Sequence, residues 1–259
     1  MQFKTNLGGL EPPFLLETRF PCRRVTGITF PDLQRKIRVT GQRKQLMGKL
    51  AAAIVNVTPF QQNCTLIWDD ETMIGAVIDP GGDVERIEQA IAETGITVEK
   101  ILLTHGHIDH AGGAEVLKRK LGVNIIGPHK DDLDLLSNIE KQSEMFGVPG
   151  AFNNAYPDQW LEEGDVVKIS GHKFEVFHCP GHAPGHVVFY NKEARFAHVG
   201  DVLFQNSIGR TDLPGGNHDV LIASIRTKLF PLGDDVSFIC GHGPGSSIGD
   251  ERRNNPFLR

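Results

Sequence analysis

The sequence of 259 residues predicts an α/β fold, a four-layer αββα sandwich in which two β-rich halves pack together and helices cover the outer faces. Short apolar runs typical of strands occur in both halves of the chain, and amphipathic runs typical of helices lie between some of them. In four places a strand-like run ends and histidine or aspartate follows beside glycine. Because functional loops are commonly carried at the ends of rigid elements, these four segments are expected to meet at one edge.

The first half begins with three predicted strands, after which Gly81-Gly82 opens a helix. Asp83 is the candidate N-cap of this helix, and Gly95 ends it. A strand ending at Leu103, a helix and a short strand complete this half. The three opening strands are 51–57, 65–68 and 73–78, the second helix is 114–121 and the short strand is 123–126.

The second half repeats this organisation with four strands, a helix and a last strand. The strands are near 165–169, 173–178, 186–190 and 194–199, the helix is at about 218–229, and the last strand is 236–240. Between the halves, residues 128–162 are less regular. They are interpreted either as an apolar lid or substrate wall at the site or as a surface loop with its own small cluster. His129 and His172 are expected on the surface.

Residues 104–113 read Thr-His-Gly-His-Ile-Asp-His-Ala-Gly-Gly, which places four candidate metal ligands within six positions. They are His105, His107, Asp109 and His110. Imidazole and carboxylate suit zinc, and also iron or manganese. Glycines within this segment permit a tight loop directly after the apolar strand. A chance accumulation of histidines is disfavoured, because three more segments of the same kind follow.

Each of the three downstream segments contributes one further candidate ligand: His182, Asp201 and His242. Each of these residues has glycine beside it and follows an apolar run that is typical of a strand. His186 lies four positions after His182 and is expected to orient the ligand loop, since metal ligands need outer hydrogen-bond partners.

The order HxHxDH, followed by a distant His, Asp and His, resembles the metallo-β-lactamase superfamily over about residues 51–259. The resemblance implies the αββα sandwich and a site for two divalent metal ions, with zinc expected and iron or manganese as alternatives. It implies that the first ion is bound by His105, His107 and His182, the second by Asp109, His110 and His242, and that Asp201 bridges the two.

Such a pair of ions, ~3.5–4 Å apart, can hold a hydroxide at neutral pH and stabilise the oxyanion that forms on attack. The implied protein is therefore a metal-dependent hydrolase whose nucleophile is a metal-bound hydroxide. Asp109 and Asp201 are the implied catalytic carboxylates. Asp201 keeps the ions close, and Asp109 either takes a proton from the nucleophile or orients it.

The residue at the bridging position distinguishes branches of this superfamily. Many of its β-lactamases carry a cysteine where this chain has Asp201. Residues 78–82, 209–212 and 251–258 are similar to the short, type II glyoxalase II, or hydroxyacylglutathione hydrolase. This similarity implies hydrolysis of a thioester such as S-lactoylglutathione to D-lactate and glutathione. Long glyoxalase II enzymes bind glutathione with a helical C-terminal domain, for which the short segment after His242 leaves no room.

Arg210 is the candidate substrate-binding residue, since a guanidinium binds a carboxylate through two parallel hydrogen bonds. An ion pair with Asp212 is the equally weighted alternative. Two other activities share the fold. A persulfide dioxygenase would bind a single iron at His105, His182 and Asp201, and a lactonase or phosphodiesterase would keep the two-metal mechanism. A non-catalytic binding protein is disfavoured, because the ligand set is complete.

The formal net charge of −5 argues against a nucleic-acid enzyme, which would show a basic face. No run of ~20 apolar residues occurs, so no membrane-spanning segment is expected, and no secretory signal is expected either. These features predict a cytoplasmic enzyme acting on a small molecule and leave its oligomeric state open. Cys179 and Cys240 are expected to pack beneath the site and not to act as nucleophiles.

Residues 1–46 are predicted to be separate from a metallo-hydrolase domain at 47–259. They contain nine basic and three acidic side chains and lie outside the resemblance. They are interpreted either as a leader without function or as a basic arm that contacts a partner or a membrane surface.

Overall fold

The computed structural model describes residues 48–148 and 152–259. The first half of this part of the chain contains five strands: β1 (Leu50–Val57), β2 (Gln62–Asp69), β3 (Ile74–Ile78), β4 (Thr97–Leu102) and β5 (Asn124–Ile126). They form one sheet in this same order. The first three strands are antiparallel neighbours, whereas β3, β4 and β5 run parallel.

The second half contains the strands β6 (Val166–Ile169), β7 (His172–His178), β8 (Val187–Asn191), β9 (Phe196–His198), β10 (Leu203–Phe204), β11 (Ser207–Ile208), β12 (Ser237–Ile239) and β13 (Ser246–Ser247). Six of them form a second sheet in the order β13-β12-β9-β8-β7-β6, while β10 and β11 pair as a separate hairpin. Within the second sheet β12 runs parallel to β9, and the other neighbours are antiparallel.

The described residues form seven α-helices: α1 (Val84–Thr94), α2 (Ile108–Ala111), α3 (Ala114–Leu121), α4 (Leu133–Leu136), α5 (Ile139–Phe146), α6 (His218–Ser224) and α7 (Ile248–Asn254). The helix predicted over 114–121 is confirmed in both bounds. The helix predicted at about 218–229 is present, but it changes to a wider π turn over Ile225–Leu229.

Apolar side chains alternate between two sides of each sheet, as the pleat requires. On β2, Leu66 packs in a cluster that includes α1 and α3, whereas its neighbour Ile67 packs between the sheets with Phe174 of β7. On β8, Val188 joins Leu221 of α6 in the outer cluster of the second half. Three apolar clusters therefore separate four layers of helices, sheet, sheet and helices. The predicted αββα sandwich is confirmed.

The stretch 128–162 is more regular than the sequence indicated, because α4 and α5 both lie within it. Leu136 and Ile139 are fully buried in the first-half cluster. These residues are therefore part of the main core, and they do not form a surface loop with a cluster of its own.

The expectation that His129 and His172 lie on the surface is wrong, since both are buried. His129 Nε2 donates a hydrogen bond to Glu162 at 2.9 Å, and His172 Nε2 donates one to Asp69 at 2.8 Å. A histidine with a carboxylate partner can be buried at little cost. The partners are far away in the sequence, so the pattern around each histidine did not indicate them.

The segment 1–46, interpreted as a leader or a basic arm, lies outside the described residues. Among the helices of 48–148 and 152–259, none combines the length and the apolar character that crossing a bilayer requires.

Candidate metal centre

The two sheets bring all seven predicted metal ligands to one edge. Residues 105–110 follow β4 and lead into α2, and His182 lies in the loop after β7. Asp201 follows β9 and His242 follows β12, and these two strands are parallel neighbours. Their carboxyl ends therefore lie side by side, with 3.5 Å between His242 Nε2 and Asp201 Oδ2.

The first group of ligands consists of His105, His107 and His182, whose ring nitrogens converge. His105 Nε2 lies 3.1 Å from His107 Nδ1 and 3.2 Å from His182 Nε2, and the latter two atoms are 2.9 Å apart. Burial lowers the pKa of all three rings, that of His107 to about 3, which favours neutral imidazoles. Nitrogens bound at ~2.0–2.1 Å to one tetrahedral zinc would lie about 3.3 Å apart. This triangle therefore fits a divalent ion.

The second group consists of Asp109, His110 and His242. Asp109 Oδ2 lies 3.1 Å from His242 Nε2 and 3.8 Å from His110 Nε2. Burial opposes charge on His110, but the carboxylates of Asp201 and Asp109 outweigh it and raise the pKa of this ring. The group thus favours a positive charge between carboxylates, which is the electrostatic condition for binding a cation.

Asp201 lies between the two groups. Its Oδ1 is 3.4 Å from His110 Nε2, and its Oδ2 is 3.6 Å from His182 Nε2 and 3.5 Å from His242 Nε2. Burial opposes ionisation of this carboxyl, but the neighbouring His110 outweighs it and holds the pKa of Asp201 well below its usual range. The carboxylate therefore faces nitrogens of both groups, as a bridging ligand must.

The buried atoms without a hydrogen-bond partner among the described residues include His110 Nε2 and Asp201 Oδ1, which lie where the two ligand groups meet. Buried polar atoms without partners are rare, because leaving them unpaired is costly. A cation bound between the groups would satisfy both. The donor set of imidazoles and carboxylates suits zinc, iron or manganese, so the residues fit the metal ions that the resemblance implies.

Asp79 and Thr104 support the ligands, and the sequence did not assign them this role. Asp79 Oδ2 accepts hydrogen bonds from His110 Nδ1 at 2.9 Å and from Thr104 Oγ1 at 2.6 Å, and its Oδ1 accepts one from the Thr104 N–H at 2.7 Å. His110 is thereby held with Nε2 directed toward Asp201. Asp79 follows the apolar strand β3, so the pattern that marked the other strand ends also marks this residue.

Two buried side chains from the stretch 128–162 connect the ligand loops. Asp132 accepts hydrogen bonds from the backbone N–H of Gly106 at 2.8 Å and of Gly185 at 2.5 Å. Gln142 accepts one from the N–H of Ile108 at 3.0 Å. Burial raises the pKa of Asp132 to about 7. No sequence pattern marks either residue, because the loops that they connect are distant in the chain.

His186 orients the site as predicted, since its Nε2 accepts a hydrogen bond from the Asp201 N–H at 3.0 Å and its ring stacks on His105 at 4.7 Å. Gly241 also lies against two of the ligands, Asp201 and His110. A β-carbon at position 241 would overlap Asp201 Oδ1 and lie 2.5 Å from His110 Cε1. Only glycine therefore leaves room for these two ligands.

Cys179 and Cys240 are buried in the outer cluster of the second half. Burial raises the pKa of each thiol to about 12. Both side chains are therefore protonated at neutral pH and act as small apolar residues, as the sequence predicted.

The backbone of Arg210 contacts a ligand, whereas its side chain forms the ion pair with Asp212 that the sequence offered as the alternative to substrate binding. Its carbonyl accepts a hydrogen bond from His182 Nδ1 at 2.8 Å, which fixes this ring. Its guanidinium pairs with both carboxylate oxygens of Asp212 at 2.7 and 2.8 Å, and the side chain is 57% exposed. Such an exposed pair contributes little to stability.

Residues 57–242 match the model of the metallo-beta-lactamase superfamily, and the chain belongs to this superfamily. It is 50% identical over 206 residues to the hydroxyacylglutathione hydrolase GloC of Haemophilus influenzae, covering 79% of this chain and 96% of that protein. It is 39% identical over 204 residues to a probable metallo-hydrolase of Bacillus subtilis, covering 78% and 94%. The predicted metal-dependent hydrolase similar to glyoxalase II is confirmed at this level.

Solved structures agree with this assignment. The BLEG-1 B3 metallo-beta-lactamase has a TM-score of 0.74 and 35% identity, over 80% of this chain and 99% of that chain. TTHA1623 in a di-iron-bound form has a TM-score of 0.71 and 36% identity, over 79% and 99%.

Proposed function

We propose that this enzyme hydrolyses small-molecule thioesters in the cytoplasm, with S-lactoylglutathione as the first candidate substrate and D-lactate and glutathione as products. The proposal is carried by Asp201, whose carboxylate faces nitrogens of both ligand groups at 3.4, 3.5 and 3.6 Å. The choice of substrate is supported by the 50% identity to a hydroxyacylglutathione hydrolase.

Each group of residues has a distinct role in this proposal. Two divalent ions, zinc in the first instance, would be held by the seven residues His105, His107, His182, Asp109, His110, His242 and Asp201. When bound, such ions lower the pKa of water and polarise a carbonyl group. Asp109 Oδ2, 3.1 Å from His242 Nε2, takes a proton from the attacking water or orients it. The water oxygen bonds to the acyl carbon, the C–S bond breaks, and the thiolate leaves and is protonated.

Arg210 is proposed to bind a carboxylate of the substrate. Its exposed guanidinium already holds a carboxylate, that of Asp212, in the bidentate geometry that such a role needs. Because its carbonyl also fixes His182, a substrate bound by Arg210 would lie next to the first ligand group.

The test is hydrolysis of S-lactoylglutathione by protein whose bound metal has been measured, compared with the variant Asp201→Ala. We expect turnover that rises with metal content up to about two ions per chain. We expect Asp201→Ala to lose at least ~100-fold in kcat, because both groups lose a shared ligand. A fully loaded protein without turnover would contradict the substrate, and an Asp201→Ala variant that keeps both ions and its activity would contradict the bridging role.

A second candidate function rests on His105, His182 and Asp201 alone. His182 Nε2 lies 3.2 Å from His105 Nε2 and 3.6 Å from Asp201 Oδ2. Two histidines and one carboxylate are the ligand set of mononuclear iron oxygenases, so these residues also suit a persulfide dioxygenase. That activity would appear as one iron per chain and oxygen uptake with glutathione persulfide, without thioester hydrolysis.

A further inference from the structure

The metal centre opens to solvent on one side. Among the seven ligand side chains, those of His242 and Asp109 are 30% and 17% exposed, whereas the other five are at most 9% exposed. A substrate therefore approaches past His242 and Asp109. The side chains around this opening are the ones that contact the part of the substrate outside the ligand groups.

Phenylalanine residues lie beside His242 at this opening. The carbonyl of Phe60 accepts a hydrogen bond from His242 Nδ1 at 3.2 Å, and the ring of Phe204 lies 6.3 Å from the ring of His242. Phe146 contacts Phe60 edge to face, with 6.1 Å between the ring centroids. Phe60 and Phe146 are nevertheless 37% and 40% exposed. An exposed apolar pair beside a polar site is typical of a binding surface.

The aromatic pair lies in two segments that contact the ligand loops: Phe60 in the turn between β1 and β2, and Phe146 at the end of α5. Gln142 lies one helical turn before Phe146 on the same face of α5, and its buried side chain accepts the hydrogen bond from the N–H of Ile108. Phe60 is held on the other side by its hydrogen bond with His242. Hydrogen bonds to the ligand loops therefore place both segments, and with them the aromatic pair, beside the metal centre.

We propose that Phe60 and Phe146 form an aromatic wall that binds an apolar group of the substrate, so that thioesters carrying an alkyl chain or an aromatic ring are hydrolysed besides S-lactoylglutathione. This proposal rests on the proposed thioester hydrolysis and names its substrate class. The reaction itself is unchanged, since water supplies the oxygen and the proton, and the thiol leaves. The apolar group belongs either to the acyl part or to the thiol part of the substrate.

Two series of thioesters distinguish these sources. The first varies the acyl group, with acetyl, butyryl, hexanoyl and octanoyl thioesters of N-acetylcysteamine. The second keeps the acetyl group and varies the thiol from methyl to butyl to benzyl mercaptan. We expect kcat/KM to rise about two- to fourfold per methylene in one series, because each methylene leaves water for the aromatic wall.

The variant Phe146→Ala should remove most of this dependence, so that the loss in kcat/KM relative to the wild type grows with the length of the apolar group. Phe146→Leu, which keeps an apolar side chain, should retain the dependence. Val166→Ala is the matched control, because Val166 is 49% exposed and lies on the edge strand β6. It should leave both series unchanged.

The outcomes separate this proposal from the proposed function. Equal kcat/KM across both series, or an unchanged dependence in Phe146→Ala, would overturn the aromatic wall and leave the thioesterase intact. If metal-loaded protein hydrolyses no member of either series and no S-lactoylglutathione, the proposed function is wrong. The proposal of the aromatic wall, which rests on it, is then wrong as well.

Discussion

Asp79 and His110 form a fully buried pair, in which His110 Nδ1 donates a hydrogen bond of 2.9 Å to Asp79 Oδ2. The pair determines which ring nitrogen of His110 remains for a metal ion, since Nδ1 is already engaged. Nε2 then faces Asp201 at 3.4 Å. Carboxylates in this position commonly fix both the tautomer and the orientation of a ligating histidine.

We predict that Asp79→Ala lowers metal affinity by about 10- to 100-fold, because His110 loses the partner that orients it. Metal retained after dialysis against graded chelator concentrations measures this affinity. Asp69→Ala is the control, since Asp69 forms an equivalent buried pair with His172 at 2.8 Å, outside the ligand groups. Equal metal loss in the two variants would show that Asp79 acts only through general stability.

Gly241→Ala is predicted to abolish simultaneous binding by Asp201 and His110, because the added methyl group overlaps the first and crowds the second. We expect less than half of the wild-type metal content and a kcat lower by at least ~100-fold. Gly95→Ala is the control: Gly95 has a φ of 73° and nothing within 4 Å of a β-carbon, so it should cost about 1 kcal/mol of stability without metal loss. Full metal content in Gly241→Ala would contradict the geometry.

Arg210→Ala should raise KM for S-lactoylglutathione by about five- to tenfold and leave kcat nearly unchanged, because a binding contact common to ground and transition states is lost. Thioesters of N-acetylcysteamine, which lack a carboxylate, should be unaffected. Arg119→Ala is a matched control, since Arg119 is 62% exposed and pairs with Glu115. If KM is unchanged for both substrates, Arg210 serves only its pair with Asp212 and the loop around His182.

Asp132 should make stability depend on pH, because burial raises the pKa of its carboxyl from 3.8 to about 7. Between these values the folded chain holds a proton that the unfolded chain has lost. The free energy of unfolding therefore falls as the pH rises through this window and levels off above it. Asp132→Asn removes this contribution.

Urea unfolding of wild type and Asp132→Asn near pH 5 and near pH 8 measures the effect. The wild type should exceed the variant by more at the lower pH, because the folded chain still holds the proton on Asp132 there, whereas at pH 8 this stabilisation is lost. The other titrating groups are common to both proteins and cancel in the comparison. A difference that is the same at both pH values would contradict the raised pKa.

The sequence predicted the features that depend on local pattern. The bounds of α3 follow from Gly113 and Gly122 at its ends, and the convergence of the ligands follows from strands that end beside His or Asp. Asp132 and Gln142 could not be predicted, because their roles arise from backbone groups far along the chain. The burial of His172 could not be predicted for the same reason, since its hydrogen-bond partner Asp69 belongs to the other sheet.

The seven ligands are shared between the two sheets, with residues 105–110 from the first and His182, Asp201 and His242 from the second. Ions bound there would connect chain segments that lie about 70 to 140 residues apart. Cross-links that close such long loops stabilise a fold the most in theory. Loss of metal would then lower the free energy of unfolding as well as abolish the activity. Metal starvation would then inactivate the enzyme and, by mass action, increase the unfolded fraction that proteases degrade.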